Sequence, residues 1–166
     1  MTDTSTRLGL PLLQAGQAQK EWSHNEALTL LDMAVQPVVE AVARNTPPSD
    51  PVAGACWIVG AAPTGAWTGH AQALAGWSDG GWRFVGAREG MVVWSRADAT
   101  EARFIGAAWR VGTLAGTQLL LGGVAMLGAR QSAIAAPANG TTIDAEARGT
   151  LAAVLAALRL HRLIEP

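Results

Sequence analysis

Four carboxylates in the centre of the 166-residue chain are the side chains whose types could do chemistry: Asp79, Glu89, Asp98 and Glu101. A glycoside hydrolase needs two carboxylates facing each other across the sugar. Asp79, however, lies in an Asp-Gly turn, and Glu89 follows Arg88 in Arg-Glu-Gly, so ordinary turn chemistry explains both residue types. We therefore predict structural roles for both and assign no catalytic residue.

Metal, cofactor and nucleotide sites have little support in the sequence. The three histidines, His24, His70 and His161, lie in different regions without a second ligand at a recognisable metal-binding spacing. Cys56 is the single cysteine, so the chain can form neither an internal disulfide nor a cysteine-based zinc cluster. The phosphate-binding pattern Gly-x-x-x-x-Gly-Lys is absent. We expect no metal, no cofactor and no enzymatic activity.

Six of the seven tryptophans fall between Trp57 and Trp109. Tryptophan buries a large apolar area and keeps one N–H donor, so such a group either anchors a β core or offers platforms for a ligand such as a sugar. Trp57 and Trp94 lie inside apolar runs, which favours the core. Four other rings lie beside glycine or polar residues, and for these the sequence favours neither burial nor exposure: Trp67, Trp77, Trp82 and Trp109. With Asp79 and Arg83, these four are candidate contacts for a glycan or a partner.

The composition favours an oligomer that binds no nucleic acid. Hydrophobic residues make up 49% of the chain and charged residues only 15%, against about 25% in an average soluble protein. Such a surface tends to associate, and a net charge of −1 offers no basic face for nucleic acid. Residues 111–129 carry no charge, but their glycines indicate two buried or interface strands joined at Gly122-Gly123 more than a membrane span.

The pattern predicts an α+β fold in four regions. These are an N-terminal arm and helix (1–44), a proline-rich linker (45–53), a Trp- and Gly-rich β domain (54–136) and a C-terminal helix (137–166). Short apolar runs with turn signals every 8 to 12 residues predict a central antiparallel β barrel or sandwich. In particular, the turn Ser78-Asp79-Gly80-Gly81 predicts a hairpin between residues 73–77 and 82–85.

Both predicted helices have an apolar stripe suited to assembly. The first begins at His24 behind a Ser23–Glu26 capping box, with Glu26 and Asp32 outside, and it kinks at Pro37 or ends near Val35. The segment before it suits an extended arm laid across a neighbouring subunit. The last helix is capped by Thr141 or Thr142 and packs against copies of itself or the first helix. The predicted assembly residues are Leu10, Leu12, Leu13, Leu28, Leu31, Val35, Leu151, Val154 and Leu158.

Three blocks of sequence form a recognisable pattern. The first block is Leu10–Lys20 with His24–Leu28 and Leu31-Asp32. The central block is rich in glycine and tryptophan, and it comprises Gly65–Gly69, Trp77–Trp82 and Arg88–Gly90. The last block comprises Gly128–Gln131, Ile143–Arg148 and Leu155–Arg159. The first two blocks resemble a domain family found in phage tail-fibre proteins and in gene transfer agents, and the last is similar to endings of such fibre and spike proteins.

The resemblance implies a structural subunit of a phage-like particle, a head spike or tail fibre that helps the particle adhere to surface polysaccharide. It transfers no catalytic residue, and the short chain favours a base or adaptor over a distal fibre. The N-terminus lacks a secretory signal, so we expect synthesis in the cytoplasm and a place on the exterior of a particle released by lysis. Expected partners are further copies, a capsid or tail protein, a fibre subunit and cell-surface polysaccharide. The alternative function is a carbohydrate-binding module that uses exposed tryptophans.

Overall fold

The computed structural model of the protein describes residues 4–14, 16, 20–127, 129–136, 138, 144–161 and 163–165. The chain divides into two compact units, Met1–Leu114 and Ala115–Pro166. Helices and short-stranded sheets are both present, which confirms the α+β class. No sheet closes into a barrel within the described ranges, and the arrangement in the first unit is sandwich-like.

The described residues of the first unit form one long helix and seven strands. In chain order the elements are α1 (Lys20–Ala34), β1 (Val38–Val39), β2 (Cys56–Ile58), a 3-10 helix (Gly65–Trp67), β3 (Leu74–Ser78), β4 (Gly81–Val85), β5 (Val92–Ser95), β6 (Thr100–Ile105) and β7 (Ala108–Val111). One sheet has the order β1-β5-β6-β7 and the other β2-β3-β4. The predicted hairpin is confirmed, because β3 and β4 pair antiparallel with Ser78 opposite Gly81.

Helix α1 begins earlier than the sequence predicts. Ser23 and Glu26 lie inside it, and Glu26 does not cap the helix but binds Arg83 of β4, with an Oε1 to Nε distance of 2.8 Å. The predicted end near Val35 is confirmed, since the helix ends at Ala34 and Gln36 has a left-handed backbone with φ of 46°. A proline at position 37 cannot continue a helix, because it has no N–H to donate.

Residues 4–14 lie against α1 of the same chain. The Asp32 carboxylate accepts hydrogen bonds from Ser5 Oγ (2.7 Å), Arg7 N (3.0 Å) and Leu8 N (2.6 Å). Asn25 exchanges two further bonds with the backbone of Leu13. This segment therefore packs against α1 of its own chain, and Asp32 is buried where an outward position was expected. Its predicted contact with a neighbouring subunit stays a prediction.

The proline-rich segment is a loop within the first unit and does not separate two domains. Strand β1 pairs parallel with β5, and the next residues bond to β2 of the other sheet, through Glu40 N to Cys56 O and Ile58 N to Ala41 O. Residues 38–44 therefore belong to both sheets. The boundary expected at 45–53 thus lies inside a compact unit, and the division instead follows Leu114.

The three-stranded sheet carries a core on each face. On one face Cys56, Ile58 and Leu74 pack with Val39 and Val93, which come from the four-stranded sheet. On the other face lies an aromatic core, described below. Alternate residues of a strand point to opposite faces, so a continuous apolar run such as 55–59 is what a strand buried on both sides requires.

The described part of the second unit contains a hairpin and a helix. Strands β8 (Leu119–Leu121) and β9 (Val124–Leu127) pair antiparallel across Gly122-Gly123, as predicted. Helix α2 (Ala145–Leu160) is capped by Asp144, whose carboxylate accepts from Ala147 N at 2.9 Å. The predicted caps, Thr141 and Thr142, lie outside the described residues. Across the described ranges, no helix combines the length and apolarity needed to cross a membrane.

Candidate functional site

Three of the four tryptophans predicted as possible ligand platforms form an aromatic cluster with Trp57 in the first unit. The side chain of Trp67 is completely buried, and its ring lies 5.1 Å from that of Trp82 and 6.2 Å from that of Trp57. Trp77 meets Trp82 edge-on with ring centroids 5.1 Å apart. Because a buried ring offers no face to a sugar, Trp67 is corrected from a candidate contact to a core residue, whereas Trp77 and Trp82 are half-buried.

The other candidate contacts serve local structure or stand apart. Arg83 is held by Glu26 and by the carbonyls of Gly80 and Trp82. Trp109 belongs to the other sheet, is half-buried and donates its Nε1 hydrogen to Gln72 O at 2.9 Å. Asp79 is exposed in the turn between β3 and β4. The structure thus brings Trp67, Trp77 and Trp82 together but forms no common site from all six residues.

The pentapeptide Gly76–Gly80 has the Gly-x-Ser-x-Gly spacing of a hydrolase nucleophile, a pattern that the sequence analysis failed to recognise. That chemistry needs a strained turn from a strand into a helix, which exposes the serine oxygen to a histidine. Here Ser78 ends β3 in a hairpin, and its Oγ donates to Gly81 O at 2.9 Å. Its geometry is that of a turn, not of a nucleophile elbow.

The remaining central carboxylates each have a structural partner. Glu89 accepts from Gly106 N, and Asp98 accepts from Ser95 Oγ at 2.5 Å. Glu101 forms an ion pair with Arg103 at 2.9 Å. None of these contacts places two carboxylates across an open cleft, as glycoside cleavage requires.

Metal and thiol chemistry have no visible site in the described part of the chain. No group of three or more histidine, cysteine, aspartate or glutamate side chains there is arranged to hold a metal ion. His70 stacks on Phe84 with ring centroids 3.6 Å apart. Burial raises the pKa of the Cys56 thiol to about 11, and the nearby Arg7 charge only partly opposes this. Since the thiolate is the reactive form, Cys56 is unreactive at neutral pH.

The exposed aromatic of the four-stranded sheet is Trp94, which the sequence prediction placed in the core. Its neighbours Val93 and Ser95 point inward and are buried, whereas 47% of Trp94 is exposed. Across the sheet Trp94 pairs with Glu101, and beside them Arg103 pairs with Arg110. An outer face therefore carries one aromatic ring, one carboxylate and two guanidinium groups.

This outer face had a signal in the sequence. From Thr100 to Ile105 charged residues alternate with Ala102 and Phe104, and this period of two is that of a half-buried strand. In β5 the inward and outward positions cannot be told apart from the sequence, because the outward residues Val92 and Trp94 are apolar like their neighbours. Pairing the two strands would have placed Trp94 beside Glu101.

The second unit exposes a large apolar surface. Every residue of β8 and β9 is exposed, including Leu121 at 59% and Met126 at 58%. On α2, half of Leu151 and half of Val154 are exposed, while Leu158 is half-buried. Of the other predicted assembly residues, Leu31 and Val35 are exposed on α1 or just after it, and four are half-buried within the first unit: Leu10, Leu12, Leu13 and Leu28.

Comparison with known proteins identifies a family. Residues 24–110, a little over half of the chain, match the family described as "Protein of unknown function (DUF2793)". The match begins within α1 and ends in β7, so it lies in the first unit. A search of curated proteins and a search of solved structures each gave no match.

Proposed function

The chain belongs to the DUF2793 family, and we propose that it is a structural subunit of a phage-like particle, a head spike or tail fibre, which anchors or builds a spike for adhesion to the host surface. Two arguments support the proposal. The sequence blocks quoted above resemble those of tail-fibre and gene transfer agent proteins. The second unit, independently, has an apolar surface that a subunit of an assembly would bury.

The uncovered hairpin of the second unit is the observation that carries the proposal. Cross-strand partners lie on the same face, which gives one face four apolar side chains: Leu119, Leu121, Val124 and Leu127. The opposite face carries Leu120 and Ala125. A lone two-stranded hairpin is marginally stable in water, so a hairpin that is apolar on both faces needs a cover on each.

Further copies of the same chain fit this surface. Residues 111–129 contain no charge, and large uncharged patches on a soluble domain mark contact surfaces. Repeated copies around a symmetry axis cover such a surface several times with one kind of contact. Burial of one half-exposed leucine contributes about 1 kcal/mol, and several such residues lie together in each copy.

We accordingly assign the assembly surface to the second unit and not to the N-terminal segment. The contacts between residues 4–14 and Asp32 hold that segment on its own helix, which leaves Leu10, Leu12 and Leu13 half-buried. Leu151 and Val154, in contrast, keep half of their surface for a partner. Copies of the chain, with a capsid or tail protein of the particle, are thus the partners of the second unit.

The first test is the mass of the full chain in solution, for example by light scattering. The wild-type chain is expected to be an oligomer, and Leu121→Lys is expected to dissociate it by placing a charge in the apolar contact. Val52→Lys is the matched control, because Val52 is 75% exposed in the first unit and its substitution leaves the mass unchanged. A wild-type monomer at high concentration would contradict assembly through copies.

The second test concerns the particle. Cells that release the phage-like particles should yield normal spikes with wild-type protein or Val52→Lys, and particles without them with Leu121→Lys. Electron microscopy of purified particles with a labelled antibody against the chain measures this. Particles that never carry the wild-type chain would refute the structural role, whatever the oligomeric state in solution.

A further inference from the structure

The outer face of the four-stranded sheet presents two rows of side chains. The register places Val38, Trp94 and Glu101 in one row across β1, β5 and β6. The next row contains Val92, Arg103 and Arg110 across β5, β6 and β7. The face is therefore apolar toward β1 and charged toward β7. This face lies wholly within the first unit, whereas the apolar hairpin belongs to the second.

Trp94 provides a flat apolar platform on this face. It lines a shallow groove of about 520 Å³ together with Pro37, Val38 and Val92 on one side and Glu101 on the other. An exposed indole next to polar groups suits a ligand with an apolar face and hydrogen-bonding edges. A sugar ring has this combination, since its C–H groups form one face and its hydroxyls point outward.

Arg110 adds an unused positive charge. It is exposed, and within the described part of the chain its side chain has neither an ion pair nor a hydrogen bond. Arg103 lies directly opposite, and like charges in that position repel. Glu101 neutralises only one of the two, through its 2.9 Å contact with Arg103. An anion beside Arg110 would relieve the repulsion, and a carboxylate fits a guanidinium with two parallel hydrogen bonds.

The spacing of the two features sets the size of the ligand. Arg110 lies two strands and two residues away from Trp94. With strands about 4.8 Å apart and a rise of about 3.4 Å per residue, their Cα atoms are about 12 Å apart. The arginine side chain shortens this gap, but one sugar ring stacked on Trp94 does not fill it. The ligand should thus contain at least two linked rings.

The charges discriminate between classes of ligand. The centre of a protein–protein interface is depleted in charged residues, whereas here Glu101 and Arg103 lie directly beside the aromatic ring. A nucleic acid needs a basic surface, and a net charge of −1 with Glu101 in the row disfavours it. A hydroxyl-rich chain with occasional carboxylates matches both the ion pair and the spare guanidinium.

From this arrangement we propose that the outer face of β5, β6 and β7 binds an acidic oligosaccharide. Trp94 stacks on one sugar ring, Glu101 accepts hydrogen bonds from hydroxyls, and Arg110 with Arg103 binds a carboxylate on a neighbouring ring. The site goes beyond the structural role proposed above and does not require it.

Calorimetry with the full-length chain tests the site. The probes are a galacturonic acid trisaccharide, its neutral methyl ester, a hyaluronan tetrasaccharide and sialyl-lactose. At least one acidic sugar should bind, and the galacturonate should bind about tenfold more tightly than its ester, since one charge-assisted contact is lost in the ester.

Variants of the two central residues test their roles. Trp94→Ala should weaken binding of the acidic sugar by about tenfold or more, as for a central aromatic contact. Arg110→Ala should reduce the galacturonate affinity to that of the ester.

Two control variants and one competing probe make the result decisive. Trp22→Ala removes another exposed tryptophan, 78% exposed on α1, and Arg88→Ala removes another exposed arginine, and both should bind as the wild type does. Absence of binding by all three acidic sugars at millimolar concentration overturns the proposal. Equal binding of hexaglutamate, lost in Arg110→Ala, also overturns it, because charge alone would then explain the site.

The solution mass of each sample separates this proposal from the structural one. Trp94→Ala and Arg110→Ala should leave the oligomer intact, whereas Leu121→Lys should dissociate it without abolishing sugar binding. The two proposals therefore fail in different measurements: a wild-type monomer contradicts the assembly, whereas absence of sugar binding contradicts the sugar site.

Discussion

The two compact units differ in where their apolar side chains lie. Among the described residues, twelve of the fourteen buried hydrophobic residues belong to the first unit, and only Leu155 and Ile164 belong to the second. The second unit, though less than half as long, has eleven exposed large hydrophobics against eight in the first. A chain gains stability by removing apolar surface from water, so the first unit has a core of its own, whereas the described residues of the second form no comparable one.

Similar apolar runs therefore have different roles in the two units. In β2 an apolar run stabilises the fold, because both faces of the strand are covered. In β8 a run of leucines is exposed on both faces and is available for association. Apolar composition alone thus does not reveal whether a strand is core or interface. The following variants test whether the first unit is indeed the self-sufficient one.

Replacement of Trp67 by alanine should give the largest effect. The ring is fully buried among Trp57 and Trp82, so its removal should lower the free energy of unfolding by about 4 to 5 kcal/mol. Urea unfolding followed by tryptophan fluorescence measures this, because all seven tryptophans lie in the first unit. Far-ultraviolet circular dichroism also monitors α2 of the second unit.

Two matched variants control the Trp67 experiment. Trp22→Ala, at an exposed position, should change the free energy of unfolding by less than about 0.5 kcal/mol. Trp67→Phe keeps an aromatic ring and removes an Nε1 donor that has no hydrogen-bond partner, so it should lose only about 1 kcal/mol. If Trp67→Ala were as stable as Trp22→Ala, the aromatic cluster would not be the core of the first unit.

The sequence predicts the strands of this core well but not their neighbours. The hairpin around Ser78–Gly81 follows from local turn chemistry, and it forms as expected. Strand β1 has two residues and pairs with β5, more than fifty positions away, so no local pattern indicates it. The outward turn of Trp94 was missed for the same reason, because exposure depends on which strands lie beside it.

The N-terminal segment shows a second limit of local patterns. Ser23 and Glu26 have the spacing of a capping box, yet the helix extends past them and Glu26 pairs with Arg83. Asp32 was expected outside because it is charged, but residues 5–8 cover it and donate hydrogen bonds to it. Partners that are distant in sequence therefore determine both the pairing of Glu26 and the burial of Asp32.

Replacement of Asp32 by alanine is the second test of the first unit. It would leave the backbone donors of Arg7 and Leu8 without their acceptor, so the free energy of unfolding should fall by about 3 kcal/mol. Asp50→Ala, at an exposed carboxylate, is the control. Limited proteolysis should also cut within residues 4–14 of Asp32→Ala first. Protection equal to the wild type would mean that the segment is held by other contacts.

The smallest expected effect concerns pH and Cys56, which also lies only in the first unit. Burial raises the pKa of its thiol from an ordinary value of 9.0 to about 11 in the folded chain, so the folded state holds the proton to higher pH. Between these values the unfolded state loses the proton first, and the free energy of unfolding therefore falls as pH rises. The expected loss relative to neutral pH is about 2 kcal/mol at pH 10.5.

Cys56→Ala isolates this contribution, because the chain has no tyrosine and Lys20 is its single lysine, which leaves few other groups that titrate in this range. The variant will be less stable at all pH values, since it loses buried volume, but its stability should fall less steeply between pH 9 and 11 than that of the wild type. Urea unfolding by fluorescence at several pH values measures the two slopes. Identical slopes would mean that the thiol is not shielded from water, and the first unit would then lack the closed core that distinguishes it from the second.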